Sequence, residues 1–127
     1  MAQSIVSIKK RSTFIYVRQK SKFVRSSSFN IKILEDKLLN NSIAVGYIAT
    51  KRIGNAVNRN RAKRRMRELA RKVISKYGKI NFYYVLIAKS SLIKMPFKNL
   101  EIETILFLSS IILFIAFPSI KKEIINK

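Results

Sequence analysis

The sequence has no histidine, no cysteine and no tryptophan, and only six acidic residues, three glycines and two prolines in 127 positions. Without His or Cys there is no zinc site of the usual ligand types, no Cys or Ser–His nucleophile system, no thiol redox chemistry and no disulfide. The acids are Glu35, Asp36, Glu68, Glu101, Glu103 and Glu123. None form the close pair, apart from cations, that two-metal or acid–base hydrolysis requires. The chain is therefore not expected to be a catalyst on its own, and no metal-ligating residue is assigned. So few glycines and prolines, with no repeat and no low-complexity tract, predict elements joined by short loops in one unit. Met1 to Arg11 has only a short apolar stretch before its basic cluster, so no secretory signal is read and a cytoplasmic location is expected.

What is present is positive charge on an apolar body: 27 Lys and Arg, a formal net charge of +21, and 48% hydrophobic residues. That much apolar side chain predicts a folded domain and argues against a disordered basic tail. Residues 1–100 carry the whole net +21 (24 bases, 3 acids), whereas residues 101–127 hold 3 of each. A field of this size on a small body favours polyphosphate partners, nucleic acid first and an anionic membrane surface second. Ile105 to Phe117 (ILFLSSIILFIAF) is the one membrane-like stretch, but 13 residues of helix rise only about 20 Å against a hydrocarbon core of roughly 30 Å. A buried or partner-facing helix is the favoured reading there, with membrane association the lesser alternative. Residues 1–104 are accordingly expected to form the domain and 105–127 an atypical apolar segment.

Ser12 is placed as the cap of a first helix running through Phe14, Ile15, Val17 and Arg18 to about Lys20, with Arg25 to Ser28 as a polar linker. From Phe29 the alternation of Phe29, Ile31 and Ile33 against Asn30 and Lys32 predicts a half-buried strand, ended by the turn-rich patch Glu35 to Ser42. Ile43 to Thr50 and Phe82 to Ala88 are nearly continuous in β-branched, apolar and aromatic residues, which suits central strands.

Between those strands, Lys51 to Lys72 (KRIGNAVNRNRAKRRMRELARK) holds ten bases and one acid. From about Asn58, Ala62, Met66, Leu69, Val73 and Tyr77 recur at helical spacing as one apolar stripe, with Gly78 as the stop. Arg59, Lys63, Arg67 and Arg71 form one flanking row, and Arg61, Arg65 and Lys72 line up with Glu68 on another. Like charges four residues apart repel by a few tenths of a kcal/mol per pair, and one glutamate offsets only part of that. A polyanion relieves it, because phosphate contacts release counterions and arginine presents a planar fork to phosphate oxygens. No helix-turn-helix partner precedes the basic helix, so DNA is not the expected partner. RNA is, and Phe14, Tyr16, Phe29, Tyr47, Tyr83 and Tyr84 are aromatics from which a stacking surface could be drawn. Tyr83 and Tyr84 point to opposite sheet faces.

The run from Lys51 to Arg64 (KRIGNAVNRNRAKR), continued by Arg67 and Glu68, resembles the arginine-asparagine-arginine signature of the bacterial ribonuclease P protein subunit. The order around it also resembles that family: a short N-terminal helix containing Phe14, a strand, a strand running into the signature, the basic helix, then FYYVLIAKS. The resemblance covers about residues 8 to 100. It implies a mixed α/β (α+β) two-layer sandwich with a small mixed sheet, a left-handed β-α-β crossover through the basic helix, and a C-terminal helix.

The resemblance further implies a protein subunit that binds a catalytic RNA subunit and the 5′ leader of precursor tRNA. The RNA, with magnesium as the cofactor held mainly by it, hydrolyses the phosphodiester. Carried over by position, Lys51, Arg52, Asn55, Arg59, Asn60, Arg61, Lys63, Arg64 and Arg67 would contact the RNA subunit. Phe14 would stack on the leader, with Arg18, Lys32 and Tyr47 beside it. Arg18 stands where the family often has a second aromatic and Lys32 near a family tyrosine, so the leader is expected to be held here more by charge than by stacking. The alternative function is that of another structured-RNA-binding protein, ribosomal or chaperone-like, with no part in cleavage.

Overall fold

The computed structural model describes the backbone of residues 3–116 and the side chains of residues 3–110. The elements follow the chain as strand β1 (Ile5–Ser7), helix α1 (Arg11–Lys20), and strands β2 (Lys22–Arg25), β3 (Phe29–Glu35) and β4 (Ile43–Ile48). Helix α2 (Ala56–Leu69), strand β5 (Phe82–Ala88) and helix α3 (Phe97–Ala116) complete them. The five strands form one mixed sheet in the order β1-β4-β5-β3-β2, with β1 and β5 parallel to β4, and β3 antiparallel to both β5 and β2. The expected mixed α/β architecture is thus present, with α2 as the crossover between the parallel neighbours β4 and β5.

Period-two alternation fixes which residues meet which helix. Phe29, Ile31 and Ile33 of β3 stand opposite Ala88, Leu86 and Tyr84 of β5, and Tyr84 and Phe82 opposite Val45 and Ile43 of β4. These residues bury against Ala62, Met66 and Leu69 of α2 and Leu100, Phe107 and Leu108 of α3 in one continuous core. Asn30, Lys32, Tyr83, Val85, Ala44, Gly46 and Ile48 alternate onto the other face, where α1 lies. Gly46 is required there by space. A Cβ at that position would come within 2.5 Å of Cε1 of Phe14, so the glycine is the seat of the Phe14 ring.

Three local expectations differ from the structure, and a fourth holds for a different reason. Helix α1 begins at Arg11 with Lys10 at its N-cap and no side-chain cap bond, so Ser12 lies inside the helix. The Arg25 to Ser28 linker is instead the end of β2 and a tight turn: Ser28 is buried, and its amide together with the Ser26 hydroxyl donates to the Glu103 carboxylate on α3. Tyr77 leaves the apolar stripe and is half-exposed. The cause is a π-helical turn at Ala70–Ile74, whose extra residue rotates the following turn, so that Ile74 and Ser75 are buried instead. Gly78 does end the helix, in extended rather than left-handed geometry; it is close packing that demands glycine, since a Cβ would lie 2.6 Å from the Ile74 carbonyl oxygen.

Helix α3 runs without interruption across residue 104, with Phe107 and Leu108 inside the domain core. The apolar stretch Ile105 to Phe117 belongs to this helix as far as Ala116, and the remainder of the expected 105–127 segment lies outside the described residues. Among the described residues no helix is long and apolar enough to cross a membrane.

Candidate nucleic-acid interface

The basic segment enters its helix through a shaped loop. Lys51–Ile53 make a single 3₁₀ turn in which Ile53 is buried, leaving Lys51 and Arg52 exposed. Gly54 follows at φ 131°, ψ −148°, a backbone region that essentially only glycine occupies. Asn55 then caps α2, its side-chain oxygen accepting from the Asn58 amide at 2.9 Å. Asn55, expected as an RNA contact, therefore also has a role within the fold, satisfying one of the helix's orphan N–H groups.

Helix α2 is bound to the core along Ala62, Met66 and Leu69, and Arg61, Arg64 and Arg67 are exposed beyond it, with Asn60 exposed and Arg59 and Lys63 partly so. Its first turn contains no acid. The positive end of the helix dipole therefore adds to the side-chain charges without internal compensation, an arrangement suited to phosphate. The single ion pair among the described residues is Arg71–Glu68, at 2.8 Å; the bond from Arg71 holds the Glu68 carboxyl below its ordinary range.

Arg65 departs from its row. Its guanidinium donates to the Met95 carbonyl and stands 6.0 Å from the centre of the Phe97 ring, and its Nε is buried. This arginine staples α2 to the start of α3 and is withdrawn from the cationic surface.

On the opposite sheet face, Phe14, Arg18 and Lys32 come together as expected. With Arg11, Ile48 and Val85 they line a cleft of about 190 Å³ between α1 and the sheet. Two residues further along the strands lies a wider hollow of about 770 Å³, whose polar lining includes Asn30, Lys51, Arg52 and Lys89. It joins the cleft face to the loop that opens α2. Lys89 carried no signal within the apolar strand preceding it; its place became visible only through the register of β5.

Tyr47 alternates onto the α2 face, away from Phe14, Arg18 and Lys32. Its ring lies 5.7 Å from the Arg67 guanidinium, and burial pushes its hydroxyl up to about 12, opposed by the Arg67 charge. It borders the cleft region only at the open edge of β4, where it shares a hollow of about 370 Å³ with Lys9, Arg11, Phe14 and Lys63. Tyr16 and Tyr83 meet edge to face farther along α1, where the Tyr16 hydroxyl donates to Asp36 at 2.8 Å and is thereby raised in pKa.

Among the described residues no group of three or more His, Cys, Asp or Glu side chains could hold a metal ion. Three of the carboxylates are engaged, each separately: Asp36 by Tyr16, Glu68 by Arg71, Glu103 by the serine turn. The arrangement can bind and orient phosphate chains and stack bases, and among the described residues it contains no side-chain cradle for magnesium.

Comparison with known proteins agrees with the shape and the signature. A solved structure of the RNase P protein from Thermotoga maritima superimposes with a TM-score of 0.70 over 81% of this chain and 94% of that one, at 19% sequence identity, which speaks for the fold. The ribonuclease P protein component of Symbiobacterium thermophilum is 32% identical over 94 residues, 74% of this chain and 80% of that protein. That of Ruegeria pomeroyi is 53% identical over 49 residues, a stretch spanning 39% of each protein. The family model described as Ribonuclease P matches residues 3–111, from the edge strand β1 into α3, and on that match the chain belongs to the ribonuclease P protein family.

Proposed function

We propose that this chain is the protein subunit of a cytoplasmic ribonuclease P, the ribonucleoprotein endonuclease of tRNA processing. Helix α2 and the loop from Lys51 to Asn55 hold the RNA subunit, and the cleft between α1 and the sheet holds the 5′ leader of precursor tRNA. The observation that carries this reading is the asymmetry of α2: its apolar side is buried in the core while Arg61, Arg64 and Arg67 are presented outward with no acid in the first turn to meet them. A helix so charged is relieved by a polyanion, and membership of the ribonuclease P protein family supports reading that polyanion as RNA. Bond hydrolysis is assigned to the RNA and its magnesium on the strength of the family resemblance.

Phe14 supplies an aromatic face, fixed over Gly46, while Arg18 and Lys32 place two cations at the same cleft. The protein's contribution is affinity and positioning: charge neutralisation in the cleft and on α2 brings leader and RNA subunit together with little reorganisation.

Reconstitution tests this directly. Purified protein alone is expected to leave precursor tRNA intact, and addition of the RNA subunit in magnesium at modest salt is expected to give leader removal that the protein stimulates. Neutralising Arg59, Arg61 and Arg64 together is expected to weaken assembly at least tenfold. Tight binding of structured RNA with no stimulation of cleavage would move the chain to the general RNA-binding class.

A further inference from the structure

The sheet face that carries Phe14 continues past the cleft to the outer strand. Register places Phe23 of β2 opposite Lys32 of β3, Lys32 opposite Val85 of β5, and Val85 opposite Gly46 of β4, the seat of the Phe14 ring. Residues opposite one another in a sheet point to the same face, so Phe23 and Phe14 bracket a single row. In the adjoining row Arg25 stands opposite Asn30. Phe23 is 49% exposed, and the Arg25 guanidinium lies 6.0 Å from its ring centre. The Asn30 side-chain oxygen is enclosed without a hydrogen-bond donor. None of these positions is acidic.

We infer that Phe23, with Arg25 beside it, is a stacking platform for a base of single-stranded RNA, lying on the same face as the Phe14 cleft and extending the leader track to the sheet edge. The inference rests on the leader-binding reading of that cleft. Aromatic rings on a sheet face accept any base, because every base has a π-face, while cations on the same face neutralise the phosphates. A lone half-exposed phenylalanine needs no explanation. This one sits in a register row with the cationic Lys32 and with Gly46, over which the Phe14 ring packs, on an edge strand where apolar exposure otherwise invites unwanted strand pairing. Three strand spacings of about 4.8 Å separate its strand from that of Gly46, about 14 Å in all. That matches about four nucleotides at the roughly 3.4 Å stacking rise.

The test measures the affinity of the complex with the RNA subunit for precursor tRNAs of increasing leader length. Wild type is expected to gain affinity when the leader first enters the cleft and again when it is about four nucleotides longer. Phe23→Ala is expected to abolish the second gain, about tenfold, with the first unchanged, and Phe23→Trp to restore it. An unchanged melting temperature shows that Phe23→Ala is folded. If wild type shows no dependence on leader length, the leader-binding reading fails and the platform with it. If wild type shows both gains and Phe23→Ala keeps both, or loses the second without recovery in Phe23→Trp, the platform alone is wrong.

Discussion

Arg64 and Arg65 are chain neighbours with opposite employments. Arg64 projects to solvent from the outer side of α2, whereas Arg65 is tied to the Met95 carbonyl and packed beside Phe97, which Lys72 approaches at 5.2 Å as well. A partly buried hydrogen bond from a charged donor, plus packing of the arginine stem, is worth on the order of 1–3 kcal/mol. Arg65→Ala is therefore expected to lower the melting temperature by several degrees and to leave the salt dependence of RNA binding as it was. Arg64→Ala is expected to leave the melting temperature unchanged and to reduce the slope of log affinity against log salt by about 0.7–0.9. A denaturation series and a salt titration on each variant separate the two. Helical spacing puts both residues near the polar side of the stripe; only the position of the loop before α3 distinguishes them, and that is a tertiary fact absent from local pattern.

Among the elements, α3 shows how an apolar run can belong to a domain. Leu100, Thr104, Phe107 and Leu108 are buried, while Ile102 and Leu106 face out. Leu108→Ala is expected to cost about 2–5 kcal/mol by opening a core cavity, and Leu106→Ala, 63% exposed, less than about 0.5 kcal/mol. Chemical denaturation midpoints check both, and equal effects would contradict the placement of α3. The strands that sequence pattern revealed, β3 to β5, are those buried deeply enough to alternate or run continuously apolar; β4 ends at Ile48, two residues earlier than expected. The two it concealed, β1 and β2, are edge strands of 3 and 4 residues whose side chains are mostly exposed, so no buried face imposes a period. The stripe of the basic helix was legible as far as Val73 and failed only at Tyr77, because the π-helical turn at Ala70–Ile74 changes the phase without leaving any compositional mark. On the site, the exposed arginines and the Phe14, Arg18 and Lys32 grouping were legible. Asn55 as a cap, Tyr47 on the far face and Phe23 in the cleft row depended on backbone direction and strand register.

For the whole molecule, the net charge of +21 acts in opposite directions on folding and on binding. In the free protein, cations along α2 repel one another with one internal ion pair among the described residues to offset them, and compaction brings them closer than in the unfolded chain. Added salt shortens the Debye length from about 30 Å at 0.01 M to about 8 Å at 0.15 M, so repulsion is screened and the fold should gain stability. RNA affinity draws on the same charges through counterion release, and for six phosphate contacts it should fall roughly a thousandfold between about 50 and 200 mM salt. The expected outcome is thus a melting temperature that rises while affinity falls over one salt series. Calorimetry on the free chain and filter binding with the RNA subunit measure the two curves. A melting temperature that falls with salt would mean that the cations are already compensated within the protein, leaving α2 without its electrostatic need for RNA.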